Sequence, residues 1–270
     1  MIDRKEIEET ASLIRLEMEE DTPPICPLRI AQEEGILLAP GHYGEAFDGR
    51  VEYHRKQSKF ILFYPELNSA HNPARVRFSV AHELGHYYLP KHRDLLLRGN
   101  AHYSEAGFIC DNRLEREADF FAAALLLPEK VLYRRISKGS FLTLKDILAL
   151  ASAWKTSVTC AAIRYVEYTP EACAILLSRK RQILYYVPSE EAACQGFKCL
   201  GRKQVPDQTV TAQASEHQPF GSVVEHSSHT DMWFSQRRSH RKIWEEAFPL
   251  GYTGIVLTMF VFEEDEEDSD

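Results

Sequence analysis

Val76-Arg77-Phe78-Ser79-Val80-Ala81-His82-Glu83-Leu84-Gly85-His86-Tyr87-Tyr88-Leu89 carries apolar side chains at helical spacing, Val76, Val80, Leu84 and Tyr87, between Pro73 and Pro90. Proline is tolerated in the first turn of a helix and breaks one further in, so the spacing predicts a helix over residues 74–89. Inside it stands His82-Glu83-Leu84-Gly85-His86. Positions i and i+4 of a helix lie on one face, one above the other. Two imidazoles so placed can both reach one zinc ion at about 2.0–2.1 Å. Glu83, one position along, cannot point at the same spot but can reach a water beside the metal, which makes it a general base and not a ligand. The alternative is a pair of histidines satisfied by protein groups without a metal. Two histidines and a carboxylate on so apolar a helix need partners of one kind or the other.

A catalytic zinc takes three protein ligands and keeps one position open. Two candidates exist for the third. Glu115 and Asp119, in Glu115-Arg116-Glu117-Ala118-Asp119, stand four apart on a second helix expected over 113–127 and ended by Pro128. One carboxylate can ligate while the other orients a ligand histidine. Against this, Asn112 and Glu115 have capping-box spacing, which would make Glu115 part of a helix N-terminus only. His92, ten residues after His82, has the ligand spacing of metzincins. The glycine that pattern needs three residues after the second histidine is Leu89 here, and neither Met232 nor Met259 stands in a convincing Met-turn. His92 is expected on a surface loop near the cleft.

Arg77-Phe78-Ser79-Val80-Ala81-His82-Glu83-Leu84-Gly85-His86, followed by Glu115-Arg116-Glu117-Ala118-Asp119-Phe120-Phe121-Ala122 and the Leu125-Leu126-Leu127-Pro128 ending, resembles the ImmA/IrrE family of zinc metallopeptidases. The resemblance covers about residues 20–168. It implies one catalytic Zn²⁺ held by His82, His86 and Glu115, not Glu117, with Glu83 as the catalytic base and Asp119 behind a ligand. It implies an endopeptidase that cuts a helix-turn-helix transcriptional repressor to relieve repression. It also implies a small sheet before the motif helix, a helix-turn-helix-like segment after the peptidase core, and a GAF-like sensor domain as the counterpart of residues 171–262. The rival from another class is a non-catalytic zinc-binding regulatory module that binds a repressor or nucleic acid. An intact Glu83 argues against it, because such a module needs no base.

Outward from the motif, a first helix is expected over 3–20, stopped at Asp21-Thr22-Pro23-Pro24, and a short one over 28–34. Strands are expected over 49–54 and 60–64, joined by a hairpin loop. Residues 91–110 read as loop. Two helices, 144–154 and 158–168, flank Lys155-Thr156-Ser157 in the manner of a helix-turn-helix. A reading helix presents cations or amides to bases, whereas this one offers chiefly Arg164 among Cys160, Ala161 and Ala162, so packing is the expected role. Beyond Thr169-Pro170 the texture turns strand-like, at 172–178, 183–187, 221–226, 243–247 and 254–262. The expected fold class is α+β. Its parts are a zinc-peptidase domain (1–142), a helix-turn-helix-like pair (143–169), a β-rich domain (170–262) and an acidic, disordered tail (263–270).

At about 150 residues per domain, 270 residues make one large domain or two modest ones. Hydrophobic residues at 44% and charged residues at 27% exclude disorder, collagen or coiled coil as whole-chain descriptions. The longest apolar runs are about half the ~20 residues of a spanning helix, and charges occupy the place of a signal peptide's apolar core. A cytoplasmic protein with no membrane association is expected. A net charge of −8 argues against global attraction to nucleic acid or anionic lipid. Locally, Arg237, Arg238, His240, Arg241 and Lys242 lie near Trp233, Phe234 and Trp244. Such a cluster suits a weak nucleic-acid contact, or else a solvated loop between strands whose aromatics are core. The six cysteines form no CxxC pair and read as reduced core fillers. His54, His71, His102 and Tyr103 are open candidates for stabilising an oxyanion.

Overall fold

In the computed structural model of the chain, residues 3–19, 22–43, 49–66, 72–99, 113–136, 141–198, 200, 203–216, 221–234, 241–251 and 254–263 are described. Helix α1 (Arg4–Glu17) starts where the Asp3 carboxylate accepts the amides of Lys5 and Glu6, and it buries Ile7, Ala11 and Ile14. Helix α2 (Pro27–Glu33) begins on Pro27 and closes at Gly35, whose φ of 72° favours a residue without Cβ. Strands β1 (Leu37–Gly41), β2 (Arg50–His54) and β3 (Lys59–Pro65) form a sheet of order β1-β3-β2. β2 is antiparallel and β1 parallel to the central β3. The expected hairpin is there. The sequence reading did not anticipate β1, because Pro40 and Gly41 argue against a strand. Its place at the sheet edge explains the tolerance, since an edge position can spare the missing N–H.

Phe60, Leu62 and Tyr64 of β3 are buried at alternate positions, and Phe60 meets Tyr87 edge-on at 4.9 Å. Tyr87 belongs to α3 (Pro73–Tyr88), whose first turn the Asn72 side chain caps at the Ala74 amide. From Phe78 to Tyr87 every residue of α3 is buried, so this helix runs through the core. Residues 91–110 were expected as loop. Instead, Pro90 opens a further helix, α4 (Pro90–Leu97). Proline forces the residue before it out of helical geometry, and Leu89 has ψ 122°. The same proline therefore ends one helix and stands in the first turn of the next.

Helix α5 (Arg113–Leu126) packs on α3 and, on another side, on α1, where the buried Arg15 guanidinium donates to the Ala124 carbonyl at 2.8 Å. Next come α6 (Glu129–Ile136), α7 (Leu144–Trp154) and α8 (Val158–Tyr168). The chain packs as two units, Met1–Val131 with Leu150–Cys160, and Leu132–Ala149 with Ala161–Asp270. Helices α6, α7 and α8 each have residues in both.

The second unit holds the strands expected beyond residue 170: β4 (Cys173–Arg179), β5 (Gln182–Pro188), then α9 (Glu190–Cys194), α10 (Val210–Glu216), β6 (Val224–His229), α11 (Thr230–Trp233), β7 (Lys242–Pro249) and β8 (Ile255–Phe262). They pair antiparallel in the order β5-β4-β8-β7-β6. The fold is thus α+β, with a β-rich second part. The central β8 is buried on both faces over most of its length, which is why residues 254–262 read as one apolar run. On one face Leu176, Ile243, Phe260 and Phe262 meet Phe197, Trp233 and Phe234.

Two consecutive glutamates of β7, Glu245 and Glu246, are buried on opposite faces of this sheet. Glu245 accepts from the Trp233 indole at 2.6 Å, from the Ser228 hydroxyl and from the Val210 amide that opens α10. Glu246 accepts the Leu144 amide that opens α7. Each carboxylate thus satisfies an amide at a helix start. Cys26, Cys160, Cys173 and Cys194 are free thiols, and Cys160 and Cys173 fill the core. Among the described residues no helix is long and apolar enough to cross a membrane.

Candidate metal centre

Helix α3 presents His82 and His86 one turn apart, and α5 presents Glu115 to both. Their ring Nε2 atoms lie 3.1 Å from each other, and the Glu115 carboxylate oxygens lie 3.1 Å from His82 Nε2 and 3.4 Å from that of His86. All three side chains are buried, and their ligand atoms fall within 4.8 Å of one another. The helices come this close because Gly85 faces Ala118. A Cβ at Gly85 would stand 3.1 Å from the Ala118 Cα and 3.2 Å from Phe121. Glu115 therefore belongs to the cluster; Asn112, the other half of the capping box, lies outside the described residues.

Behind the cluster, Asp119 accepts from His82 Nδ1 at 2.8 Å. A carboxylate can only accept, so His82 carries a proton on Nδ1 and Nε2 is the ring atom that faces inward. Burial alone would lower the His82 pKa. The hydrogen bonds to Asp119 and Glu115, with the charges of Glu83 and Asp119, carry it up to about 10. Burial pushes Glu115 the other way, but the two imidazoles hold its carboxyl well below the usual range. These carboxylates draw a positive charge into a buried space. Two imidazole nitrogens and one carboxylate converge there, a donor set that suits a divalent metal ion, so the residues fit a metal ion.

Glu83 is fully buried beside this cluster and is not among the converging groups. Gly49, next to β2, lies against it: a Cβ there would come within 3.1 Å of Glu83 Cγ and 3.2 Å of Oε1. In the sequence, residue 49 stands only at the start of an expected strand. His92, expected on a surface loop, is buried on α4, with Nδ1 3.0 Å from His86 Nδ1 and Nε2 3.0 Å from Glu117. The signal that could have found it is Pro90, read as a helix start.

Of the oxyanion candidates, His54 is exposed at the end of β2, while His71, His102 and Tyr103 lie outside the described residues. Arg164, the cation offered to DNA, is fully buried on α8, its guanidinium 4.7 Å from the Tyr168 ring centre. Cys160, Ala161 and Ala162 are buried with it, so this helix packs with the face it would have read with. Near the basic cluster, Trp233 and Phe234 are core residues, and Arg241 stacks on Phe197 and bonds Gln195. Arg237, Arg238 and His240 lie outside the described residues, and Lys242 is exposed at the start of β7.

The family model described as the IrrE N-terminal-like domain matches residues 45–165. Among curated proteins, the radiation response metalloprotease IrrE of Deinococcus radiodurans is 33% identical over 104 residues, 38% of this chain. The match spans 31% of that relative's length. Among solved structures, a Mycobacterium tuberculosis transcriptional regulator superposes with a TM-score of 0.59 over 96% of this chain and 76% of its own, at 12% identity, a likeness of fold alone. Over residues 45–165, the chain is therefore similar to the ImmA/IrrE family.

Proposed function

We propose that this protein is a zinc-dependent endopeptidase, with His82, His86 and Glu115 as the metal ligands and Glu83 as the catalytic base. The observation that carries the reading is the buried Glu83 carboxylate, held against Gly49 beside the three converging ligand groups. Bound there, zinc would supply a Lewis acid for the scissile carbonyl and lower the pKa of a water toward about 7. Glu83 takes the proton of the attacking water and later delivers it to the leaving amine. Asp119 keeps His82 in the tautomer that can ligate, and Gly49 leaves the room in which the Glu83 side chain lies. The substrate proposed is a helix-turn-helix repressor, cut to relieve repression. It rests on the family resemblance, and the metalloprotease name of the Deinococcus relative supports the proteolytic half of it. The compartment proposed is the cytoplasm, where free thiols such as Cys194 persist.

The test is Glu83→Gln. Loss of a general base costs about 10²–10⁴-fold in rate, so cleavage of a repressor should vanish while zinc content and melting stay at wild-type values. Undiminished cleavage would overturn the mechanism. A Glu83→Gln protein that keeps full biological function while cutting nothing would point instead to a zinc-binding regulatory module.

A further inference from the structure

The two imidazoles that face the metal position are held from behind in different ways. His82 has a carboxylate, Asp119, at 2.8 Å from its Nδ1. His86 has a third histidine: His92 Nδ1 stands 3.0 Å from His86 Nδ1, the rings 4.9 Å apart between centres. On its far side His92 Nε2 lies 3.0 Å from Glu117 Oε2, and the other oxygen of Glu117 accepts from the Arg113 guanidinium at 2.7 Å. His92 is 2% exposed and Glu117 8%.

With a neutral His92, the chain of partners has one set of hydrogens that leaves a lone pair on His86 Nε2 for a metal. Glu117, ionised beside Arg113, can only accept, so His92 donates from Nε2. A neutral imidazole has one donor and one acceptor, so His92 Nδ1 offers a lone pair. His86 must then donate from Nδ1, which leaves its own Nε2 lone pair aimed at His82 Nε2 and Glu115. The order Arg113, Glu117, His92, His86 thus sets the tautomer and the ring orientation of the one ligand imidazole that Asp119 does not reach. Three helices contribute: α3 the ligand, α4 the histidine and α5 the carboxylate. A buried histidine and glutamate would be costly as packing alone.

We propose that His92, anchored by Glu117, is the positioning residue of His86, so that its loss weakens metal retention although it is no ligand itself. The proposal rests on the reading that His82, His86 and Glu115 hold zinc. Groups that orient a ligand imidazole are worth about 10–100-fold in metal affinity.

The experiment measures zinc dissociation constants of the full chain by competition with a chromophoric chelator, together with visible absorption of the Co²⁺-loaded protein and melting of the metal-free protein. His92→Phe keeps a ring and removes the acceptor; it should weaken zinc binding ~10–100-fold and alter the Co²⁺ bands. His92→Asn, whose amide oxygen can occupy the place of Nδ1, should recover wild-type affinity to within about threefold. Glu117→Gln should weaken binding about threefold to tenfold, less than His92→Phe because His92 remains. Should His92→Phe fail to fold, His92→Asn and Glu117→Gln carry the test. Wild-type affinity in His92→Phe or in Glu117→Gln overturns the proposal, as does equal weakening in His92→Phe and His92→Asn with equal loss of melting temperature. Wild-type protein that takes up no zinc, or a His82→Ala variant that takes it up undiminished, overturns the underlying ligand assignment, and the role of His92 falls with it.

Discussion

Gly49 and Glu83 meet at the scale of a single methyl group. The Cβ of an alanine at position 49 would press on Glu83 Cγ and Oε1 at 3.1 and 3.2 Å. The glutamate side chain is flexible enough to give way by a few tenths of an ångström, so the fold should tolerate the change. The base would then sit away from its working position. A misplacement of 1 Å can cost about 10²-fold in rate, and a smaller one on the order of tenfold. Gly49→Ala should therefore lower kcat about tenfold, with zinc stoichiometry and melting temperature unchanged. An alanine variant as fast as wild type would show that the contact has no bearing on the base. Nothing in the sequence marks Gly49, because the contact joins a strand end to a helix more than thirty positions away. His82, Glu83 and His86 are legible because their spacing is local to one helix. Glu115 and Asp119 are legible for the same reason.

Between elements the decisive contact is α3 on α5. Gly85 lets the helix carrying the histidines approach the helix carrying Glu115, and the atom a new Cβ would meet is backbone, the Ala118 Cα at 3.1 Å. Backbone cannot move aside as a side chain can. Gly85→Ala gains up to about 1 kcal/mol of helix propensity but overpacks the interface at a cost of roughly 1–3 kcal/mol. The net should be a lower melting temperature and weaker zinc binding, as Glu115 is pushed from the two imidazoles. Thermal unfolding with and without zinc checks both; a variant more stable than wild type and equally tight for zinc would show that the helices have slack at this point. The periodicity of 76–87 and 113–127 made both helices readable. Their crossing was not, since it depends on which small residues coincide in space. Pro90 has the same ambiguity: a proline marks both an end and a beginning, and reading only the end hid α4 and the burial of His92. The short α9, α10 and α11 carry too few turns to show a period.

Across the whole molecule, charge buried away from the metal centre gives the second unit its own response to pH. Burial raises the pKa of Glu245, against the hydrogen bonds from Ser228, Trp233 and the amides of Val210 and Thr211. Burial likewise raises that of Glu246, against the Leu144 amide. A carboxyl with a raised folded-state pKa binds its proton more tightly folded than unfolded. The stability this contributes is fully present below the unfolded value of 4.5 and is lost as pH rises through the raised folded values. The second unit should therefore lose stability over the interval that starts near pH 4.5 and ends above the two folded pKa values. Glu245→Gln removes one titrating group and keeps an oxygen for Trp233 and Ser228, so it should flatten that dependence without unfolding the sheet. Glu246→Ala removes the acceptor at the start of α7 and should cost about 0.5–2 kcal/mol, the range of a lost helix cap. Calorimetric melting of the full chain from pH 4.5 to 8 distinguishes the two variants. The prediction fails if Glu245→Gln has the same slope as wild type, because the buried carboxylate would then carry no protonation linked to folding.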